Sequence, residues 1–259
     1  MGAHHEQEPS GMTETLLMLA AGFLGGMLNA VAGGGTFITF PALVASGVPV
    51  VSANATSTVA ALPGYLSAAL GFRREIAQIE QALVLRLTFW TLAGGIVGSC
   101  LLLVSSNKAF AVLVPFLLLA ATSVFIWGAQ VREWAAQHRN AVAPFGAGTM
   151  VPVAIYGGYF NGGLGIVLLA LFALWGMTQL NQMNGLKNWL SFALSVISLA
   201  IFAAGGQVAW WPAAVMSLGT ILGGYLGAPV ARRIPVPALR ALIAAIGFGM
   251  TALFFWRLF

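Results

Sequence analysis

The chain has 259 residues, of which 59% are apolar and 7% are Asp, Glu, Lys or Arg, with a net charge of +5. A soluble domain is roughly a quarter charged, and a chain this apolar cannot cover a water-facing surface with polar groups. A water-soluble globule is therefore excluded, lipid is the natural solvent, and basic residues in short loops between apolar runs mark membrane topology rather than nucleic-acid binding.

Residues 1–12 are polar, with His4, His5, Glu6 and Glu8. They lack a basic region followed by an apolar run and a small-residue cleavage site, so they read as a disordered tail or as residues preceding a start at Met12. His4 and His5 read as solvated rather than metal-binding. Apolar runs follow at Thr13–Val31, Thr36–Ser46, Ser52–Phe72, Ala82–Val104 and Ala109–Gly128. A charged stretch with Arg132, Glu133, His138 and Arg139 comes next. Further runs cover Ala143–Phe160, Leu164–Trp175, Gly185–Ala204, Val208–Val230 and Ala238–Trp256. Two runs, Thr36–Ser46 and Leu164–Trp175, have only about 11 or 12 residues, which suits a half-helix or re-entrant segment. Each directly follows a glycine cluster.

The short runs occupy the same place in two halves. The first half reads Asn29, Gly33-Gly34-Gly35, a half-helix, Gly47 and then Asn54 to Thr58. The second reads Asn161, Gly162-Gly163 with Gly165, a half-helix, Gly176 and then Asn184 to Asn188. This is an internal duplication of roughly 130 residues per copy: a first repeat over residues 13–128, a cytoplasmic linker over 129–142 and a second repeat over 143–259. Equivalent loops carry opposite charge patterns. Arg73 and Arg74 correspond to the uncharged Gly205-Gly206-Gln207, whereas Lys108 corresponds to Arg232, Arg233 and Arg240. The positive-inside rule then places equivalent loops on opposite sides. The expected fold is all-α and polytopic, with two inverted repeats, each a broken pair plus about three crossings.

A glycine-rich break exposes backbone N–H groups at membrane depth, which is tolerated only where they line a cavity or bind something. A half-helix starting there directs its positive dipole end at the same place. Two such ends make an anion site, lined by Asn29, Gly33, Gly34, Gly35, Thr36, Asn54, Thr56 and Ser57 from the first half. Asn161, Gly162, Gly163, Gly165, Asn184, Lys187 and Asn188 come from the second. Amides and hydroxyls donate to anion oxygens, and Lys187 adds a charge. Thr58 reads equally as bonding to its own helix, and Lys187 equally as snorkelling to the interface. Gly94/Gly98 and Gly219/Gly223 read as helix-packing residues, Cys100 as a small core residue, and Trp210 and Trp211 as interfacial. All six carboxylates lie in the tail, the loops or at a helix edge, which argues for anionic cargo. With no HExxH, GxSxG, P-loop or Cys–His cluster, no enzyme, cofactor or metal site is expected.

Gly33-Gly34-Gly35-Thr36-Phe37-Ile38-Thr39-Phe40-Pro41, Gly47-Val48-Pro49 and Ala53-Asn54-Ala55-Thr56-Ser57 resemble the glycine-rich signature of the TauE/SafE sulfite-exporter family. Gly157 to Gly165 with Leu186-Lys187-Asn188 resembles its weaker second repeat. The paired breaks read as a secondary transporter of a small anion in a bacterial inner membrane, working by alternating access, and the resemblance implies that the cargo exported is sulfite, sulfoacetate or a related organosulfonate. A passive small-anion channel is the alternative reading. The implied partners are that anion and membrane lipid, with no nucleic acid; a homodimer is left open.

Overall fold

The protein is described by a computed structural model covering residues 8–31, 33–138, 143–231 and 236–256. Every regular element among them is helical. The helices are α1 (Glu8–Val31), α2 (Thr36–Ala45), α3 (Val50–Gly71), α4 (Arg73–Ile76), α5 (Gln81–Val104) and α6 (Asn107–Ile126). There follow α7 (Gly128–Gln137), α8 (Ala147–Phe160), α9 (Leu164–Leu174), α10 (Leu180–Ala204), α11 (Trp210–Ala231) and α12 (Val236–Trp256). By length and composition, Gly11–Asn29, Gln81–Val104, Asn107–Val124 and Leu180–Ala204 are able to cross a membrane. The chain is a multi-pass membrane protein. Arg139, Arg232 and Arg233 lie outside the described residues, as does the tail before Glu8.

The expected half-helices are α2 and α9, of 10 and 11 residues. At 1.5 Å per residue each is about half as long as a bilayer core is thick. The same device ends both. Gly47 (φ +83°) and Gly176 (φ +86°) take the left-handed conformation. Val48 N–H then reaches back to Leu43 O, and Met177 N–H to Phe172 O, each at 3.0 Å. A left-handed residue closing such a bond caps the last carbonyls of a helix, and glycine takes that conformation without a Cβ penalty.

Glycine faces join the halves. Gly22 and Gly26 of α1 lie against Met216 and Thr220 of α11, so these two helices run parallel. Gly94 and Gly98 of α5 lie against Ala154 and Ile155 of α8, again in parallel. Each first helix of a half is thus held by the other half. The packing role read for Gly94, Gly98, Gly219 and Gly223 is what the structure shows: a Cβ on Gly223 would strike the Phe23 carbonyl.

Helices α3 and α10 run in opposite directions. Ser52, at the start of α3, donates to Gln207 Oε1, just past the end of α10, at 2.7 Å. At the far end Gly185 of α10 touches Phe72 and Ile76, and Gln182 donates to Gln78 at 3.1 Å. Val51 N–H donates to Asn107 Oδ1 at 3.1 Å, so the turns at residues 46–50, 105–107 and 205–209 share one end of the bundle. Arg73 and Arg74 are at the other. Fully buried Phe40 of α2 seals the interior, edge-on to Phe160 and stacked on Phe254 of α12.

One side-chain expectation is corrected. Cys100 is exposed, not a core residue. The buried stripe of α5 runs through Thr91, Gly94, Gly95, Gly98, Ser99 and Leu102. One further residue is 100° of rotation, which carries Cys100 off that stripe.

Candidate functional site

The two glycine breaks touch. A Cβ on Gly33 would lie 2.7 Å from the Cα of Gly165, and a Cβ on Gly165 would lie 2.7 Å from the Cα of Gly33. Side chains at either position would force the halves apart. The chain leaves α1 through Gly33 (φ +77°) and enters α9 through Gly163 (φ +72°). Half-helices α2 and α9 therefore begin at one buried place, with Gly34, Gly35, Thr36 and Gly162 around it, all buried. The first turn of a helix has N–H groups without intrahelical partners and a partial positive charge.

Asn29, 3% exposed, holds the first break in shape: its Oδ1 accepts Gly35 N–H at 2.7 Å. Asn161, its counterpart at the end of α8, makes no such bond to the glycine turn, and its amide stands beside the Tyr65 hydroxyl. The second break is steadied instead by the Tyr156 hydroxyl, which donates to Gly162 O.

Lys187 is fully buried. Its Cδ is the side-chain atom nearest a Cβ placed on Gly165, at 3.2 Å, so its stem runs beside the joined breaks. Its Nζ donates to Asn184 Oδ1 at 3.2 Å, a neutral partner, and no carboxylate of the described residues pairs with it. The side chain is enclosed by protein rather than reaching the surface. Asn188, next to it, is fully buried, and both polar atoms of its side chain lack a protein partner.

The remaining expected polar residues make hydrogen bonds, most of them between elements. Thr56 Oγ1 accepts Ala209 N–H at 3.0 Å and so tethers the approach to α11. Ser57 pairs with Thr39 at 2.6 Å, tying α3 to α2. Asn54 Nδ2 donates to Tyr159 O at 2.9 Å, joining α3 to α8. Thr58 bonds to Asn54 O at 3.0 Å, the local pattern expected of it. Sequence reasoning passed over Tyr65, 2% exposed, which stands beside the side chains of both Asn29 and Asn161. It also passed over Ser191 and Ser195, buried on α10 with hydroxyls that have no protein partner. Their signal was present: they follow Asn188 by three and seven residues, the spacing of one helix face.

Residues 18–254 match the family described as sulfite exporter TauE/SafE. The chain belongs to this family. Curated proteins similar to this chain carry the name probable membrane transporter protein. A "Probable membrane transporter protein" of Haemophilus influenzae is 30% identical over 243 residues, 93% of this chain and 94% of that protein. "Probable membrane transporter protein ORF9" of a Sinorhizobium species is 27% identical, over 90% of this chain and 89% of that protein. "Probable membrane transporter protein YfcA" of Escherichia coli K12 is 28% identical, over 88% and 85%. No solved structure matches the chain. The family's membrane-transporter character agrees with the architecture: broken helices meeting inside a bundle and a buried lysine beside them.

Proposed function

We propose that the protein is a secondary transporter of a bacterial inner membrane. It exports a small sulfur-containing anion, sulfite or an organosulfonate such as sulfoacetate, by alternating access of a central site to either face. The observation that carries this reading is Lys187. A fully buried ammonium with only a neutral amide partner is costly, and a bound anion offsets that cost. Two half-helix N-termini and the amide of Asn161 stand in the same region to complete its coordination. The opposed directions of α3 and α10 support an inverted relation between the halves, the arrangement that lets one site open to both sides by rocking.

The test is binding of sulfite and sulfoacetate to the purified protein, with sulfate and chloride as controls, followed by flux into liposomes. Selective saturable binding and accelerated counterflow are expected. Absence of binding by either sulfur anion would overturn the cargo. Flux without saturation or counterflow would make the protein a channel.

A further inference from the structure

The register that aligns Asn54 with Asn184 also aligns Ser57 with Lys187, Thr58 with Asn188, Ala61 with Ser191 and Tyr65 with Ser195. The two helices treat these positions differently. On α3, Asn54 donates through Nδ2 to Tyr159 O and only its Oδ1 lacks a partner, Ser57 is bonded to Thr39 and Thr58 to Asn54 O; position 61 is alanine, and position 65 is filled by a large ring. On α10 every equivalent position is polar, and Asn188, Ser191 and Ser195 are each at most 1% exposed. Asn188 Nδ2 and Oδ1 and both serine hydroxyls have no partner in the protein.

A serine in a membrane helix ordinarily bonds to the carbonyl one turn back. Thr58, Thr91 and Thr251 do so in this chain, at 3.0, 2.7 and 2.7 Å. Ser191 and Ser195 do not. Buried polar groups are nearly always satisfied, so a row of orphans on one helix face points to a ligand or solvent that moves along it. The row has ends. Lys187 stands at one, and at the other Ser198 pairs with Ser99 of α5 at 2.8 Å.

We infer that the permeation track is one-sided: the substrate follows the Asn188–Ser191–Ser195 face of α10, with Asn161 contributing at the end of α8, while the matching face of α3 is structural. The ligand class is an oxyanion with several acceptor oxygens, because amide N–H and hydroxyl groups are donors that need not be ionised. Lys187 supplies the full charge at one end only. This rests on the transporter reading but makes its own claim about which helix carries the path.

The test uses cysteines introduced singly in the full chain with Cys100→Ser, reconstituted in liposomes and treated with a small water-soluble thiol reagent. Positions are Ser191→Cys and Ser195→Cys on α10, Ser57→Cys and Ala61→Cys on α3, and Ser106→Cys as an exposed control. Labelling at 191 and 195 with 57 and 61 silent is expected. Silence at 191 and 195 while 106 reacts, or equal reaction on both helices, would overturn the inference. Sulfoacetate is then added as a probe. Slower labelling at 191 supports the sulfur-anion reading, whereas unchanged labelling counts against that cargo and leaves the track standing.

A second measurement separates ligand contact from folding. The Ser191→Ala/Ser195→Ala double variant should keep its melting temperature and lose about tenfold in flux. Thr58→Ala, which removes a made bond, should lower the melting temperature instead. Unchanged flux in the double variant would overturn the inference.

Discussion

Lys187 sets function against stability. Its ammonium has been taken out of water and given one neutral partner, a state that apolar side chains of similar length avoid. Lys187→Met should therefore raise the melting temperature of the anion-free protein while weakening sulfite binding about tenfold or more. Thermal shift and calorimetry on the same sample check both halves of this expectation. A variant less stable than the parent would show that the lysine is a structural strut. Other residues were legible in the sequence only as a class. Asn29, Asn54, Thr56, Asn161 and Asn188 are all buried, but a polar side chain inside a membrane helix serves packing or ligand equally well. What separates them is the neighbour across the interface. Asn54 meets a carbonyl of Tyr159 and Thr56 an N–H of Ala209, whereas Asn188 meets nothing that bonds it. Neither neighbour is near in sequence. Tyr65 escaped notice for the same reason, because its importance comes from standing beside two asparagines of different halves.

At the scale of the element, apolar run length and glycine placement were enough to find the spanning helices and both half-helices. The run Thr36–Ser46 became α2 and Leu164–Trp175 became α9, each ending two residues before the left-handed glycine that caps it. The short α4 and α7 were not legible. They lie in charged connections where no apolar run marks a helix. Close packing was legible as a tendency of spaced glycines, and its partners were not. The partners make a sharp contrast testable. A Cβ at Gly223 would collide with the backbone of Phe23 and Met27, while at Gly249 of α12 nothing lies within 4 Å. Gly223→Ala should destabilise by about 1–3 kcal/mol, since overpacking backbone against backbone leaves no side chain to yield. Gly249→Ala should be neutral or stabilising by up to about 1 kcal/mol through helix propensity. Melting temperatures in one detergent compare the two.

For the molecule as a whole, the direction of the chain through the membrane is the property to measure. The turns at residues 105–107 and 205–209 lie at the opposite end of the bundle from Arg73, Arg74 and Gln78. Basic loops stay in the cytoplasm. In intact cells carrying the Cys100→Ser protein, a cysteine at Ser106 or Gly206 should react with an impermeant thiol reagent from outside. One at Gln78 should react only after the membrane is opened. The reverse pattern would invert the orientation, and labelling of all three from one side would refute the arrangement of the helices. The crossed pairing of α1 with α11 also sets a clock. The glycine face of α1 is covered by residues roughly 190 positions later in the chain. At a synthesis rate of about 5–20 residues per second, that partner arrives some 10 to 40 s after α1 has entered the membrane. Throughout this interval the glycine face of the first helix must be covered by lipid or by the insertion machinery.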